Sequence, residues 1–220
     1  MSEHASSVKP SSGPTPSVVR VRLDPSSVDP RLSFFASPGD AVCEAYEAVA
    51  RRLMDNGTGT AVFMVVASRA SRAQSVVAAN LGSALSLDAD VVLLDARTEG
   101  ARLPEIFGLG SQDTPPEGVC LLVSERLGLV SVGERFSRQA DDVLDSEVLG
   151  LRALGDVLLI LTDRSGADVV KKKTGLESAG VVVLVEQDEL AAGVLEAFVR
   201  EIGADDILGC LVVENGRLSS

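Results

Sequence analysis

The stretch ASRASRAQS, residues 67–75, follows the apolar run AVFMVV and leads into VVAANLGSAL. A strand, a turn of small residues and an amphipathic helix form the layout on which nucleotide-binding proteins build a phosphate cradle, because the first amides of a helix point at the anion. In the pattern G-x-x-x-x-G-K-[ST] the glycines let backbone wrap the phosphates, the lysine neutralises charge and the hydroxyl holds magnesium. Aligned on AANL, the corresponding positions are Ser68, Ala73, Gln74 and Ser75, and only Ser75 keeps the expected type. Ala73 brings a Cβ to a point of close approach, and Gln74 offers a neutral amide where a fixed cation is wanted. Each charge-assisted hydrogen bond lost to a phosphate is worth about 1.5–3 kcal/mol. Arg69 and Arg72 lie in the same turn. They leave open a weak anion site at the helix N-terminus, with solvated loop residues as the plainer reading.

Two carboxylates sit at strand ends. Asp95 closes VVLLD and Asp163 follows VLLILT. Such positions suit magnesium coordination or water activation, and equally the ordinary turn chemistry of aspartate. Arg97, two residues after Asp95, is placed to pair with it. The residue types alone do not decide between these uses.

Other chemistries are excluded by composition. The three cysteines, Cys43, Cys120 and Cys210, lie far apart and the one histidine is His4 in a polar tail, so neither a four-ligand zinc site nor Cys/His catalysis is supported. Packed, reduced thiols are expected. A net charge of −12 argues against a general nucleic-acid binder. The one concentrated base, Lys171 to Lys173, reads as a solvated helix face, with contact to anionic lipid or an acidic partner as the alternative.

The elements that must position these residues follow from periodicity. Apolar runs at 61–67, 90–95, 118–123, 156–162, 180–186 and 207–213 read as strands, and 39–57, 71–86, 140–153, 166–178 and 188–202 read as helices. Strands apolar on both faces that alternate with helices predict a parallel α/β sheet covered on both sides. Residues 1–38, with six of the nine prolines, read as a disordered arm carrying a short edge strand at 18–23. One domain is expected over 39–217. The apolar runs are far shorter than the roughly 20 residues of a membrane span, and no apolar leader is evident, which predicts a cytoplasmic protein.

Four segments, read in order, resemble the cytoplasmic domain of the bacterial tyrosine autokinases of capsule and exopolysaccharide systems, relatives of Min- and Par-type ATPases. They are DPRLSFFASPGDAVCEAYEAVARRL, AVFMVVASRASRAQSVVAANLGSAL, VVLLDARTEGARLPEIFGL and AGVVVLVEQDELAAGVLEAF with ILGCLVVEN. Asn80, Asp95, Phe107, Gly108 and Asn215 fall into the family's register. The resemblance implies a three-layer P-loop NTPase-like fold of the Min/Par type.

Departures gather where the family's chemistry lies. The loop glycine and lysine are Ala73 and Gln74, the second aspartate of D-A-D is Arg97, and Leu161 stands in the Walker B register. On the oligomerisation or partner helix Glu44 remains while two arginines are Glu47 and Ala50, and Tyr46 and Arg51 complete that stretch. The C-terminal tyrosine cluster is absent, Tyr46 being the one tyrosine. The resemblance therefore implies a pseudokinase without catalytic residues, metal or cofactor. Its vestigial nucleotide site would comprise Ser68, Arg69, Arg72, Ala73, Gln74, Ser75, Asp95 and Asp163. Such a protein would be a scaffold or regulatory partner of a membrane polysaccharide co-polymerase or an active kinase, as a homo- or hetero-oligomer at the inner face of the membrane. A divergent ATPase or kinase using ATP and magnesium, or a Min/Par-type positioning protein, are the alternatives.

Overall fold

In the computed structural model, the described residues are 17–56, 61–67, 71–97, 103–110, 119–131, 150–163, 180–187, 194–202, 207–214 and 217–218. The strands are β1 (Ser17–Arg20), β2 (Ala61–Ala67), β3 (Val91–Asp95), β4 (Val119–Leu122), β5 (Leu127–Ser131), β6 (Val157–Asp163), β7 (Gly180–Glu186), β8 (Ile207–Glu214) and β9 (Arg217–Leu218). The helices are α1 (Ser33–Ala36), α2 (Ala41–Asn56), α3 (Arg72–Leu85), α4 (Leu103–Ile106) and α5 (Val194–Ile202).

All nine strands join one sheet in the order β1-β4-β5-β3-β6-β2-β7-β8-β9. Among the described residues, the β4–β5 and β8–β9 pairs are antiparallel and the others parallel. The central strands β2, β3 and β6 are buried almost throughout, and alternate residues serve opposite faces. Phe63, Val65, Leu93, Leu159 and Val182 point into the core under α2, α3 and α4. Met64, Leu94, Ile160 and Val183 enter a second core closed by Leu151 and Ile202. These are the two covered faces expected of apolar parallel strands.

Small residues let α3 lie close to the sheet. It is buried from Gln74 to Leu85, and a Cβ on Gly82 would already touch the Leu93 side chain at 3.4 Å. Helix α2 buries Cys43, Tyr46, Ala50 and Leu53, while Val42 and Val49 are half-buried.

The boundary expected at residue 38 is not a boundary in the structure. β1 pairs in parallel with β4, and Val28 and Leu32 belong to the main core. Asn80 on α3 fastens this lead-in, accepting the Ser33 amide at 2.9 Å and donating to the Arg31 carbonyl at 2.9 Å. Phe35 meets Phe107 edge to face at 5.5 Å. Composition alone misread residues 17–38 because their apolar residues are sparse. Val18 and Val19 stay exposed, but Val28 and Leu32 reach a core built elsewhere in the chain, and Val21, Leu23, Phe34 and Phe35 pack against it. Residues 1–16 lie outside the described residues, as do helix 166–178, Lys171 to Lys173 and Asn215. Of helix 140–153 only 150–152 is described as helical, and of 188–202 only Val194–Ile202.

β5 was not expected from its sequence. LGLVS sits among polar residues, and β3 and β4 make it a strand by pairing on either side.

Gly108 has φ +73, and a Cβ there would come within 2.6 Å of the Ser27 carbonyl group. Gly108→Ala is expected to lower the free energy of unfolding by about 2 kcal/mol through left-handed strain alone, and by more if the lead-in is displaced. Urea unfolding of the two proteins measures it.

Candidate functional site

The C-terminal ends of β2, β3, β6 and β7 converge on one edge of the sheet, where open α/β folds place their ligands. Ala67 pairs with Asp163 and Leu184, and Asp95 pairs with Leu161. The register sets Leu161, buried in the core, beside Asp95, with Asp163 two residues further out.

Helix α3 begins at this edge with a cap. Ser71 is the N-cap, its Oγ accepting the Gln74 amide at 3.2 Å, the spacing of a capping box. The same hydroxyl donates to Glu186 Oε1 at 2.8 Å, tying the turn to the end of β7. Ser75 Oγ donates to the Ser71 carbonyl at 3.2 Å, so the hydroxyl that would face a magnesium ion bonds the backbone of its own helix. Gln74 and Ser75 are fully buried and Ala73 is half-buried. Ser68 and Arg69 lie outside the described residues.

Asp95 is engaged on both oxygens. Arg97 Nε donates to Oδ1 at 2.9 Å and Nη2 to Oδ2 at 2.8 Å, a bidentate pair in which both side chains are buried. The Leu103 amide adds a bond to Oδ2 at 3.0 Å, and Arg97 Nη1 reaches the Ser71 carbonyl at 3.4 Å. The pairing anticipated from D-A-R is therefore present. It turns the carboxylate inward onto a guanidinium.

Arg72, expected as an anion contact, is turned onto a carboxylate that the sequence reading did not single out. Its Nε donates to Asp29 Oδ2 at 3.0 Å. Arg31 grips the same carboxylate in fork geometry, Nε to Oδ1 at 3.0 Å and Nη2 to Oδ2 at 3.0 Å. The Asp29 amide in turn donates to the Ile106 carbonyl at 2.9 Å, joining the lead-in to α4. The visible signal was D-P-R, an aspartate two residues before an arginine, the same spacing as D-A-R.

Tested against a magnesium nucleotide, these residues do not fit. The strand-end carboxylate carries a bound cation of the protein's own, the lysine position is a buried glutamine, and Arg72, half exposed, bonds Asp29 through Nε. Among the described residues no group of three or more His, Cys, Asp and Glu side chains could hold a metal ion. The cysteines are unbridged. Burial raises the Cys120 thiol to about 11 and shifts Cys43 and Cys210 upward as well.

The candidate partner helix divides. Glu44 and Arg51 are exposed and Glu47 is half-buried, but Tyr46 is not on that surface. It is fully buried in the main core, where burial drives the phenol well above its usual range.

No family model matches the chain, and no curated protein matches it. Solved structures do. One is the chimerical protein CapA2B2, with TM-score 0.64 at 16% identity, covering 91% of this chain and 93% of the other. Another is the kinase domain of the Escherichia coli tyrosine kinase ETK, with TM-score 0.63 at 14% identity, covering 84% and 80%. The fold is that of the bacterial tyrosine kinase domains. It is shared with a ParA family ATPase from Chlorobium tepidum, TM-score 0.55 at 14% identity over 70% of this chain and 73% of that one. The α/β architecture expected from the strand-helix alternation is thereby matched. Among the described residues no helix is long and apolar enough to cross a membrane.

Two predictions follow from the geometry. The Arg31 hydrogen bonds, more than offsetting burial and helped by Arg72, lower Asp29 from its ordinary value to about 2. A carboxylate lowered by folding contributes stability above its unfolded value of about 4, and loses that contribution as pH falls toward its folded value. Asp29→Asn is therefore expected to lower stability at neutral pH and to flatten its decline between about pH 4 and 2, as measured by urea midpoints across that window. The Tyr46 hydroxyl has no hydrogen bond within bonding distance among the described residues. Tyr46→Phe removes a desolvated oxygen and should leave stability within about 1 kcal/mol of wild type or raise it, again by urea unfolding.

Proposed function

We propose that this chain is a non-catalytic relative of the polysaccharide-export tyrosine kinases, acting by binding proteins rather than by transferring phosphate. The observation that carries the reading is the buried Asp95–Arg97 pair: the carboxylate at the end of β3 is bonded to a guanidinium on both oxygens. Gln74 at the lysine position and the bond from Arg72 to Asp29 support it further. A buried, forked ion pair resists exchange for a hydrated metal, since separating it leaves an uncompensated charge at a cost of about 3–5 kcal/mol.

On this reading the protein is a scaffold or regulatory subunit in exopolysaccharide synthesis or export. Its partner is a membrane co-polymerase or an active kinase of the same fold, met at the inner face of the membrane. Exposed Glu44 and half-buried Glu47 on α2 suit a basic surface on that partner. The sole tyrosine is buried in the core, so the chain offers no accessible tyrosine of its own for phosphorylation.

The test is thermal unfolding of the full chain with and without millimolar ATP or ADP and magnesium. No rise in midpoint is expected. Ligand at 100 times its dissociation constant would add about 2.7 kcal/mol, so a magnesium-dependent rise would overturn the reading and return Asp95 and the 67–75 turn to catalysis.

A further inference from the structure

The Asp95–Arg97 pair does more than disable a site. Arg97 links the end of β3 to the cap of α3 directly, and to the start of α4 through Asp95. It grips the end of β3 through Asp95 and reaches the carbonyl of Ser71, the cap of α3, at 3.4 Å. Through Asp95 it also acts on the Leu103 amide, the first residue of α4, bonded to Oδ2 at 3.0 Å. Ser71 in turn binds Glu186 at the end of β7. The second half of the arrangement is a mirror of the first in charge: Asp29 takes Arg72 from the start of α3 and, by its own amide, the Ile106 carbonyl at the end of α4. The start of α3 and both ends of α4 are thus fastened by groups of the chain itself, a guanidinium where a cation would act and a carboxylate where an anion would.

We propose that Arg97 is a built-in cation, a positioning residue that holds the α3 cap and α4 in one closed arrangement without metal or nucleotide. The inference rests on the non-catalytic reading and extends it: the face formed by the α3 cap and α4 is permanently set rather than switched by a ligand. Charge and shape both matter in this role. The guanidinium presents its donors in a planar fork that satisfies both carboxylate oxygens at once, and a lysine ammonium is a point charge that cannot. The Leu103 amide reports on the arrangement because its acceptor is the oxygen that Arg97 orients.

The test is residue-resolved hydrogen exchange on the full chain, comparing wild type, Arg97→Ala and Arg97→Lys, each in EDTA and in magnesium chloride at matched ionic strength. In wild type the protection of the Leu103 amide should be the same in EDTA and in magnesium. In Arg97→Ala it should fall by about tenfold or more beyond any change at the β2 and β6 amides, which report global unfolding. Arg97→Lys should recover part of that loss, and it carries the test alone if the alanine variant does not fold. Loss of Leu103 protection in step with the β2 and β6 amides would reduce Arg97 to a stabilising residue and overturn the proposal. So would a wild-type Leu103 amide that needs magnesium for its protection. None of these measurements contains nucleotide, so a nucleotide response in thermal unfolding would sink the non-catalytic reading separately.

Discussion

A carboxylate buried at the end of a central strand must be answered by a positive charge, and the structure is organised around that answer. Desolvating an ion costs several kcal/mol, which only close opposite charge and saturated hydrogen bonding can offset. Asp95 meets both conditions with the Arg97 fork and the amide of Leu103. Because Arg97 also reaches the Ser71 carbonyl, the demand of one carboxylate fixes the end of β3, the beginning of α3 and the beginning of α4 relative to one another.

A second buried carboxylate does the same for the lead-in. Asp29 carries two arginines, one from its own turn and one from the start of α3. Asn80 then closes the contact with one acceptor and one donor on the backbone of residues 31–33. A polar side chain fully inside a helix–segment contact is tolerated because both halves of its amide are used. Asn80 thus has a local physical role that is independent of phosphate chemistry.

Fold and chemistry separate cleanly in such a molecule. The sheet needs only apolar residues at alternating positions and small residues where α3 lies close, and many sequences meet those demands. Superposition over most of the chain at 14–16% identity is the expected consequence. Phosphate chemistry needs particular side chains at particular points; near the α3 cap this chain has Asp95 paired with Arg97 and Arg72 bonded to Asp29. Packing that makes a fold does not by itself fix the chemistry of the site the fold carries.

The sequence by itself determined the apolar strands, their alternation with helices, the covered parallel sheet and the absence of the G-x-x-x-x-G-K-[ST] pattern from residues 68–75, since these follow from local periodicity and residue type. It also offered the Asp95–Arg97 pairing, two residues apart on one strand end. Tertiary structure alone decided what lay between distant segments. β5 is a strand because β3 and β4 flank it, and residues 17–38 are ordered because Val28, Leu32 and Asp29 reach a core and an arginine supplied by later residues. Tyr46 reads on the sequence as part of a partner helix, but the sheet beneath α2 makes it core. Arg72 looks like an anion ligand until Asp29, 43 residues earlier, is brought within 3.0 Å. Local pattern fixes which faces are apolar, whereas the partner of a charge depends on which loops the closed sheet brings together.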